Sequence, residues 1–331
     1  MKQEIKARLR NTIAVAFPRI WYQVLKSKTY RTYMVVNDLT IYPQMSLPYD
    51  PTSTYVTMLK VPPRYYEKIN AKRVLDENGV PLYQGKYYNL VQVAQYGLTE
   101  FGYYKNTGET AHFERAQKVC EWLVSHQEED TGYWVYRFDF YHRATDFTLK
   151  DWACSMGQGQ AASLLTRMWR LNHDDRYLDV AHSAFKMFDI PVSEGGLLAM
   201  FDGHMFYEEY PTTPASYTLN GMIFATFGLY DYLQVRKDER IQKLFDEAVD
   251  TIEYMLPLYD DDISSNYDIA HITARKIPKV KGDKYHIIHI ALLQNLETIE
   301  PRPTFEYYIR KWTKMSGFNI KCPPLRGETK D

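Results

Sequence analysis

At 331 residues the chain is long enough to bury a large core, as one large domain or two smaller ones. Forty basic and forty-one acidic residues leave a net charge of −1, which makes nucleic acid and anionic membrane poor candidates as partners. Three cysteines, Cys120, Cys154 and Cys322, are too few and too scattered for a disulfide framework or a four-ligand zinc site.

The N-terminal "TIAVAF" is a short apolar run closed by Pro18 and Arg19, too short for a signal peptide core or a membrane span. The expectation is a soluble, cytoplasmic protein without an export signal. Residues 1–80 are rich in Tyr, Pro and β-branched residues, as in "YRTYMVVNDLTIYPQ", and predict a short helix followed by strands or extended arms. "DENGVPLYQGKYYN" (76–89) is a turn-rich lead into a helical region.

From residue 90 onward the chain repeats. Segments 106–123, 171–188, 235–255 and 300–315 each open with a polar turn and continue as an amphipathic helix. Phe113, Ala116, Val119 and Leu123 form one apolar stripe; Leu178, Ala181, Phe185 and Phe188 form another. Each is preceded by a more apolar helix rich in small residues, at 90–104, 155–170, 216–234 and 285–298. Four such hairpins predict a mainly α fold, an α/α toroid, with an N-terminal arm over residues 1–87 and a barrel over 88–331.

Long connections at 127–154, 189–215 and 256–284 join the hairpins, and connections of that length usually carry function. The first, "TGYWVYRFDFYHRATDF", alternates like a β-ribbon, and the others hold "YEEYPTTP" (207–214) and "SNYDIAH" (265–271). Toroids gather such connections at one mouth, so the three polar clusters are expected to converge there. Gly157, Gly159, Ala161 and Ala162 permit close helix packing, while Gln158 and Gln160 sit near a helix N-terminus that a polar ligand can use. His286 and His289 share a helix face, which suits a structural or substrate-binding role better than a metal site. Asp260, Asp261 and Asp262 read as a solvated turn. The 29 tyrosines fit carbohydrate binding, because aromatic faces stack on sugar rings.

Taken in order, "VPLYQ…VQVAQYGL", "WACSMGQGQAASLL", "FYEEYPTTPASYTLNG", "GLYDY" and "MLPLYD…NYDIAH…YHIIHI" resemble the C-terminal catalytic region of the glucuronyl C5-epimerases. The match runs from about residue 80 to 315. The resemblance implies an α/α barrel and inversion of D-glucuronate to L-iduronate within heparosan- or heparan-type polysaccharides. It also implies a homodimer. It places Glu209 and Tyr210 at the family's catalytic Glu-Tyr pair, and Tyr267 and Tyr285 at its two other essential tyrosines. An arginine that grips substrate in animal members is Ala270 here, so Arg137, Arg143 or Arg275 is expected to replace it. The calcium site of animal members lies in an N-terminal part mostly missing here, so no metal is expected.

Inversion at C5 needs a base on one ring face, an acid on the other, and donors that neutralise the carboxylate as an enediolate develops. It needs no redox cofactor. Glu209 and Tyr285 are the expected proton-transfer pair; Tyr210 and Tyr267 orient the ring. Glu208, on the other side of an extended segment, is expected to be a supporting or surface acid. The candidate substrate-binding side chains are Trp134, Tyr136, Arg137 and Arg143 on the ribbon, Trp152, Gln158 and Gln160 after it, and His271, Arg275, His286 and His289. A polysaccharide lyase shares the C5 deprotonation and is the nearest rival; a non-catalytic sugar-binding module is another. A glycosidase fits less well, since it needs two carboxylates at a set separation.

Overall fold

The computed structural model describes residues 48–56, 73–261, 264–274 and 283–316. Four helical hairpins follow one another: α1 (Leu90–Thr107) with α2 (Thr110–His126), α3 (Ser155–Asn172) with α4 (Asp175–Ala184), α5 (Leu219–Leu233) with α6 (Glu239–Tyr259), and, after the single-turn α7 (Ala270–Thr273), α8 (Asp283–Ile299) with α9 (Pro303–Ser316). The first helix of each hairpin packs on the first helix of the next, α1 on α3, α3 on α5, α5 on α8, and each second helix backs its partner from outside. This is the expected α/α toroid. Two antiparallel hairpins interrupt the connections: β1 (Phe140–His142) with β2 (Phe147–Leu149), and β3 (Leu198–Phe201) with β4 (His204–Tyr207).

Residue pattern explains the layering. Every residue of α3 from Ser155 to Met168 is buried, and α5 is nearly as enclosed, because small and apolar residues run round both, with Gln158, Gln160, Arg167, Asn220 and Asp231 buried among them. Helix α6 instead buries one stripe, with Ile241, Leu244, Phe245, Ala248 and Ile252 at spacings of three and four. Asn89, Asp174 and Asp238 cap α1, α4 and α6, each accepting from a backbone N–H of the first turn. Small residues set the α3–α5 crossing: a Cβ on Gly228 would lie 2.4 Å from the Gly159 carbonyl oxygen.

At the C-terminal ends of α3 and α5 the barrel is filled by Arg167 and Asp231, ion-paired and both fully buried. Residues 48–56 close this end. The Tyr49 hydroxyl donates to Asp231 at 2.9 Å, its ring stacks on Phe227 at 4.7 Å, and Arg167 donates to the Ser53 carbonyl at 3.2 Å.

One expectation changes. Asp260 is not in a solvated turn: it accepts from Trp312 Nε1 at 3.0 Å and pairs with Lys311, tying the end of α6 to α9, and Asp262 lies outside the described residues. The strands and helix expected before residue 75 fall largely outside the described residues; the lead at 76–89 does turn, with Leu75 bridging Pro81 and Tyr83 bridging Tyr87.

Candidate active site

Strand β4 runs out at Tyr207, whose buried ring stacks on Phe188 and whose hydroxyl donates to the Leu244 carbonyl. The next residue keeps the strand conformation, with Glu208 N–H donating to Leu197 O at 2.8 Å and Glu208 C=O accepting from Ser155 N at 3.1 Å. Alternation along extended backbone then sends the two glutamates to opposite sides. Glu208 is fully buried, which corrects the expectation of a supporting or surface acid as far as the surface is concerned. Pro211 and Pro214 keep the following stretch out of helix.

Glu209 points at the first turn of α5 and is 6% exposed. Asn220 Nδ2 donates to its Oε2 at 3.3 Å, and the Tyr267 hydroxyl donates to its Oε1 at 3.2 Å. The Tyr267 and Tyr210 hydroxyls are 3.3 Å apart, and the Tyr285 ring lies 4.2 Å from that of Tyr267. Residue 221 has to be glycine for this to fit, since a Cβ there would come within 2.6 Å of Glu209 Cβ. The four residues expected to do chemistry therefore meet, although they come from two separate connections and the first turn of α8.

Electrostatically the cluster is poised near neutrality. Burial pushes the Glu209 carboxyl up to about 7, against hydrogen bonds from Tyr210, Tyr267 and Asn220 that favour the charged form. Burial also holds the Tyr210 and Tyr267 phenols well above their usual range, with the Glu209 charge adding to it, so both are donors. Asp268 is raised to about 6 by burial, and its charge raises Glu209 a little further.

Glu209, Tyr210, Asn220 and Tyr285 form one end of a cleft of about 360 Å³. Its walls are aromatic, from Tyr83, Tyr136, Phe138, Phe140 and Trp152, and carry the amides of Asn89, Gln92 and Gln95 from the start of α1. Such a mixture of flat apolar faces and neutral donors suits a sugar ring.

Of the other expected residues, Tyr136 and Trp152 line the cleft, facing each other across a β-bridge. Trp134 does not: it is buried and donates to the Leu123 carbonyl at 2.9 Å. Gln158 is spent on the Trp134 backbone, donating to its carbonyl at 2.9 Å, and Gln160 is buried within α3; neither lines the cleft. Arg137 is held at the surface by Glu128 and Asp151. Arg143 is exposed in the turn of the β1–β2 hairpin, and Arg275 lies outside the described residues. His271 is half-buried on α7. His286 accepts from Ser265 N at 2.8 Å and donates to the Trp312 carbonyl, while His289 is within 2.8 Å of Ser265 Oγ. Those two histidines brace the loop that carries Tyr267, a structural role.

Sequence reasoning missed Asn220, Phe140 and His142. Phe140 and His142 stack on Tyr210, with ring centroids 5.2 and 4.9 Å away. Burial lowers the His142 imidazole to about 4, so this ring is neutral and acts as a shelf. The signal for Asn220 was a polar residue beside a glycine in an otherwise apolar helix, "LNGMIF".

A family model described as the C-terminus of D-glucuronyl C5-epimerase matches residues 127–314. A D-glucuronyl C5-epimerase of Caenorhabditis elegans is 32% identical over 214 residues, covering 61% of this chain and 35% of that protein. The chain thus matches about a third of that relative's length. An uncharacterized protein of Methanocaldococcus jannaschii is 28% identical over 227 residues, covering 63% of this chain and 69% of that one. Among solved structures, the cellobiose 2-epimerase of Spirochaeta thermophila superposes with a TM-score of 0.55 at 10% identity, over 85% of this chain and 72% of that one. At that identity the likeness is one of fold.

Proposed function

Because this chain belongs to the D-glucuronyl C5-epimerase family, we propose that it inverts C5 of a uronate within a polysaccharide, converting D-glucuronate to L-iduronate in a glycosaminoglycan-like chain. The observation that carries the reading is Glu209. It is a buried carboxyl, raised to about 7, that shares the end of an aromatic cleft with two phenols, Tyr210 and Tyr285.

In this mechanism Glu209 removes the C5 proton, and the C–H electron pair moves into an enediolate. Tyr285 donates its phenolic proton to C5 from the opposite face, and solvent returns both groups to their starting states. Tyr210 and Asn220 donate toward the developing enediolate, while Tyr267 orients Glu209. The charge on the substrate carboxylate also needs a cation. Arg143 is suited to that task, since the hairpin that bears it places Phe140 and His142 on Tyr210. The homodimer is part of the same reading, and its test is the mass in solution by light scattering.

Incubation with candidate polyuronides in heavy water, followed by NMR, tests the reaction. Deuterium at C5 with an iduronate-type product is the expected outcome. Ultraviolet absorbance from an unsaturated uronate would instead identify a lyase, and binding with no exchange would identify a sugar-binding module.

A further inference from the structure

Glu208 has no part in the proton transfer, yet it is the more deeply buried of the two glutamates. Its carboxylate accepts from Ser216 Oγ at 3.0 Å on Oε2 and from the Tyr217 N–H at 2.9 Å on Oε1. Those two bonds close the loop that holds Glu209, Tyr210 and the Pro-Thr-Thr-Pro stretch, joining its first residue to its last. The same short stretch is also bonded to the other side of the site. Ser216 C=O accepts from Ile269 N at 3.1 Å, and Leu219 N donates to Tyr267 C=O at 3.2 Å, so the segment bearing Tyr267 is paired with residues 216–219. Tyr217 sits at a φ of +54°, a conformation few side-chain-bearing residues adopt, and the Tyr259 hydroxyl holds its carbonyl at 2.7 Å.

We propose that Glu208 is a positioning residue: its side chain ties the loop carrying Glu209 and Tyr210 to Ser216 and Tyr217, in the stretch whose backbone pairs with the segment carrying Tyr267, and so sets the Tyr267–Glu209 hydrogen bond. This rests on the proposed function only for its effect on rate; the geometric claim stands apart from it. The joint works in either protonation state of Glu208. When the carboxyl is neutral, Oε2 donates to Ser216 Oγ, whose own hydroxyl turns to Thr218 Oγ1 at 3.3 Å. Burial, opposed by the Tyr217 and Ser216 bonds, pushes Glu208 up to about 8, and Asp268 is the charged group that adds to this. The neutral form therefore prevails at pH 7, and glutamine is its isostere.

The test compares Glu208→Leu, which keeps the volume but cannot bond, with Glu208→Gln, in the wild-type and Tyr267→Phe backgrounds. The first readout is the titration midpoint of Glu209, followed by NMR of carbon-13-labelled glutamate side chains with no substrate present. Withdrawing the Tyr267 hydroxyl removes a bond that favours the charged form, so Glu208→Leu raises the midpoint. Tyr267→Phe raises it equally, and combining them adds nothing further. The second readout is C5 exchange, expected to fall on the order of 10²-fold in Glu208→Leu and to recover to within about tenfold in Glu208→Gln. A Glu209 midpoint unmoved by Glu208→Leu, or moved equally in both backgrounds, overturns the proposal. If Glu208→Leu does not fold, Ser216→Ala takes its place, and an unmoved midpoint there has the same meaning. Absence of exchange in the wild-type protein would count against the proposed function alone.

Discussion

Helices α3 and α5 each hold a buried acid-containing cluster at both ends, and the two clusters are built differently. At their C-terminal ends Asp231 faces the Arg167 guanidinium, with Tyr49 as a further donor. At their N-terminal ends Glu209 meets Asn220, Tyr210 and Tyr267, all neutral donors. Asn220 and Asp231 are eleven residues apart on α5, roughly 16 Å along its axis. Burial pulls both carboxyls upward, but only Asp231 has a cation to oppose it. Burial alone would lower Arg167, and the Asp231 charge more than reverses that, so the pair stays charged and does structural work. Glu209 is left able to gain and lose a proton near neutrality, which is what a proton-transfer group requires.

The largest effect is expected at the N-terminal cluster. Glu209→Gln should lower C5 exchange by on the order of 10²–10⁴-fold while the melting temperature holds or rises, because a buried ionisable group has been removed. Tyr285→Phe should stop inversion by a similar factor yet retain exchange through Glu209. Near-normal inversion in both variants would show that the base lies elsewhere.

The opposite cluster should respond in stability instead. Arg167→Met leaves Asp231 buried without its partner, a change that costs about 3–5 kcal/mol in comparable sites. Denaturant midpoints measure it, and the exchange rate per folded molecule should not change. The double variant Arg167→Met/Asp231→Leu should recover most of the loss. If it does not, the pair is holding residues 48–56 in place as well as neutralising itself.

How much of this contrast was legible in sequence depends on how local its cause is. The hairpins were legible because their stripes repeat at helical spacing, and the observed helices begin and end within a few residues of the expected ranges. Close packing at Gly159 was legible from small residues alone. Glu209, Tyr210, Tyr267 and Tyr285 came from resemblance, which carries a three-dimensional arrangement that spacing cannot. The burial of Glu208 and the stacking of His142 on Tyr210 depend on pairings between distant segments, and no neighbouring residue announces them. Gln158 misled for the same reason: a helix N-terminus looks open until the Trp134 segment covers it.

Two glycines on α5 sharpen the comparison at smaller cost. A methyl at Gly228 would strike the Gly159 backbone, which cannot turn aside, so Gly228→Ala should cost about 1–3 kcal/mol or more of stability. A methyl at Gly221 would come within 2.6 Å of Glu209 Cβ and 2.7 Å of its Oε2; the carboxylate can swing aside, whereas the Cβ shifts only with the loop that bears it. Gly221→Ala should therefore lower the rate roughly ten- to a hundredfold and cost less stability than Gly228→Ala, since the loop and carboxylate can yield and alanine also favours the helix. Equal stability losses in the two variants would mean that Glu209 is held as rigidly as backbone.

The smallest effect is a pair of opposed pH slopes. Glu208 and Glu209 are raised to about 8 and 7, so the folded protein holds their protons at pH values where the unfolded chain has released them. Their contribution to stability is complete below the ordinary carboxylate range and disappears as pH rises through 7 and 8. Buried His142 and His289, lowered to about 4 and 3, act in the other direction, but only up to about pH 6.5, where the unfolded imidazoles lose their protons. The window from pH 7 to 8.5 is thus left to the two glutamates, with the buried thiols of Cys120 and Cys154 adding the same sign near its upper edge. Denaturant midpoints should fall across that window, and fall less in Glu208→Gln. Over the same window the exchange rate should rise, because in the D-glucuronate direction Glu209 has to be ionised to accept the C5 proton. A midpoint that does not fall from pH 7 to 8.5 would mean that Glu208 and Glu209 are already charged in the folded protein, and the contrast with Asp231 would fail.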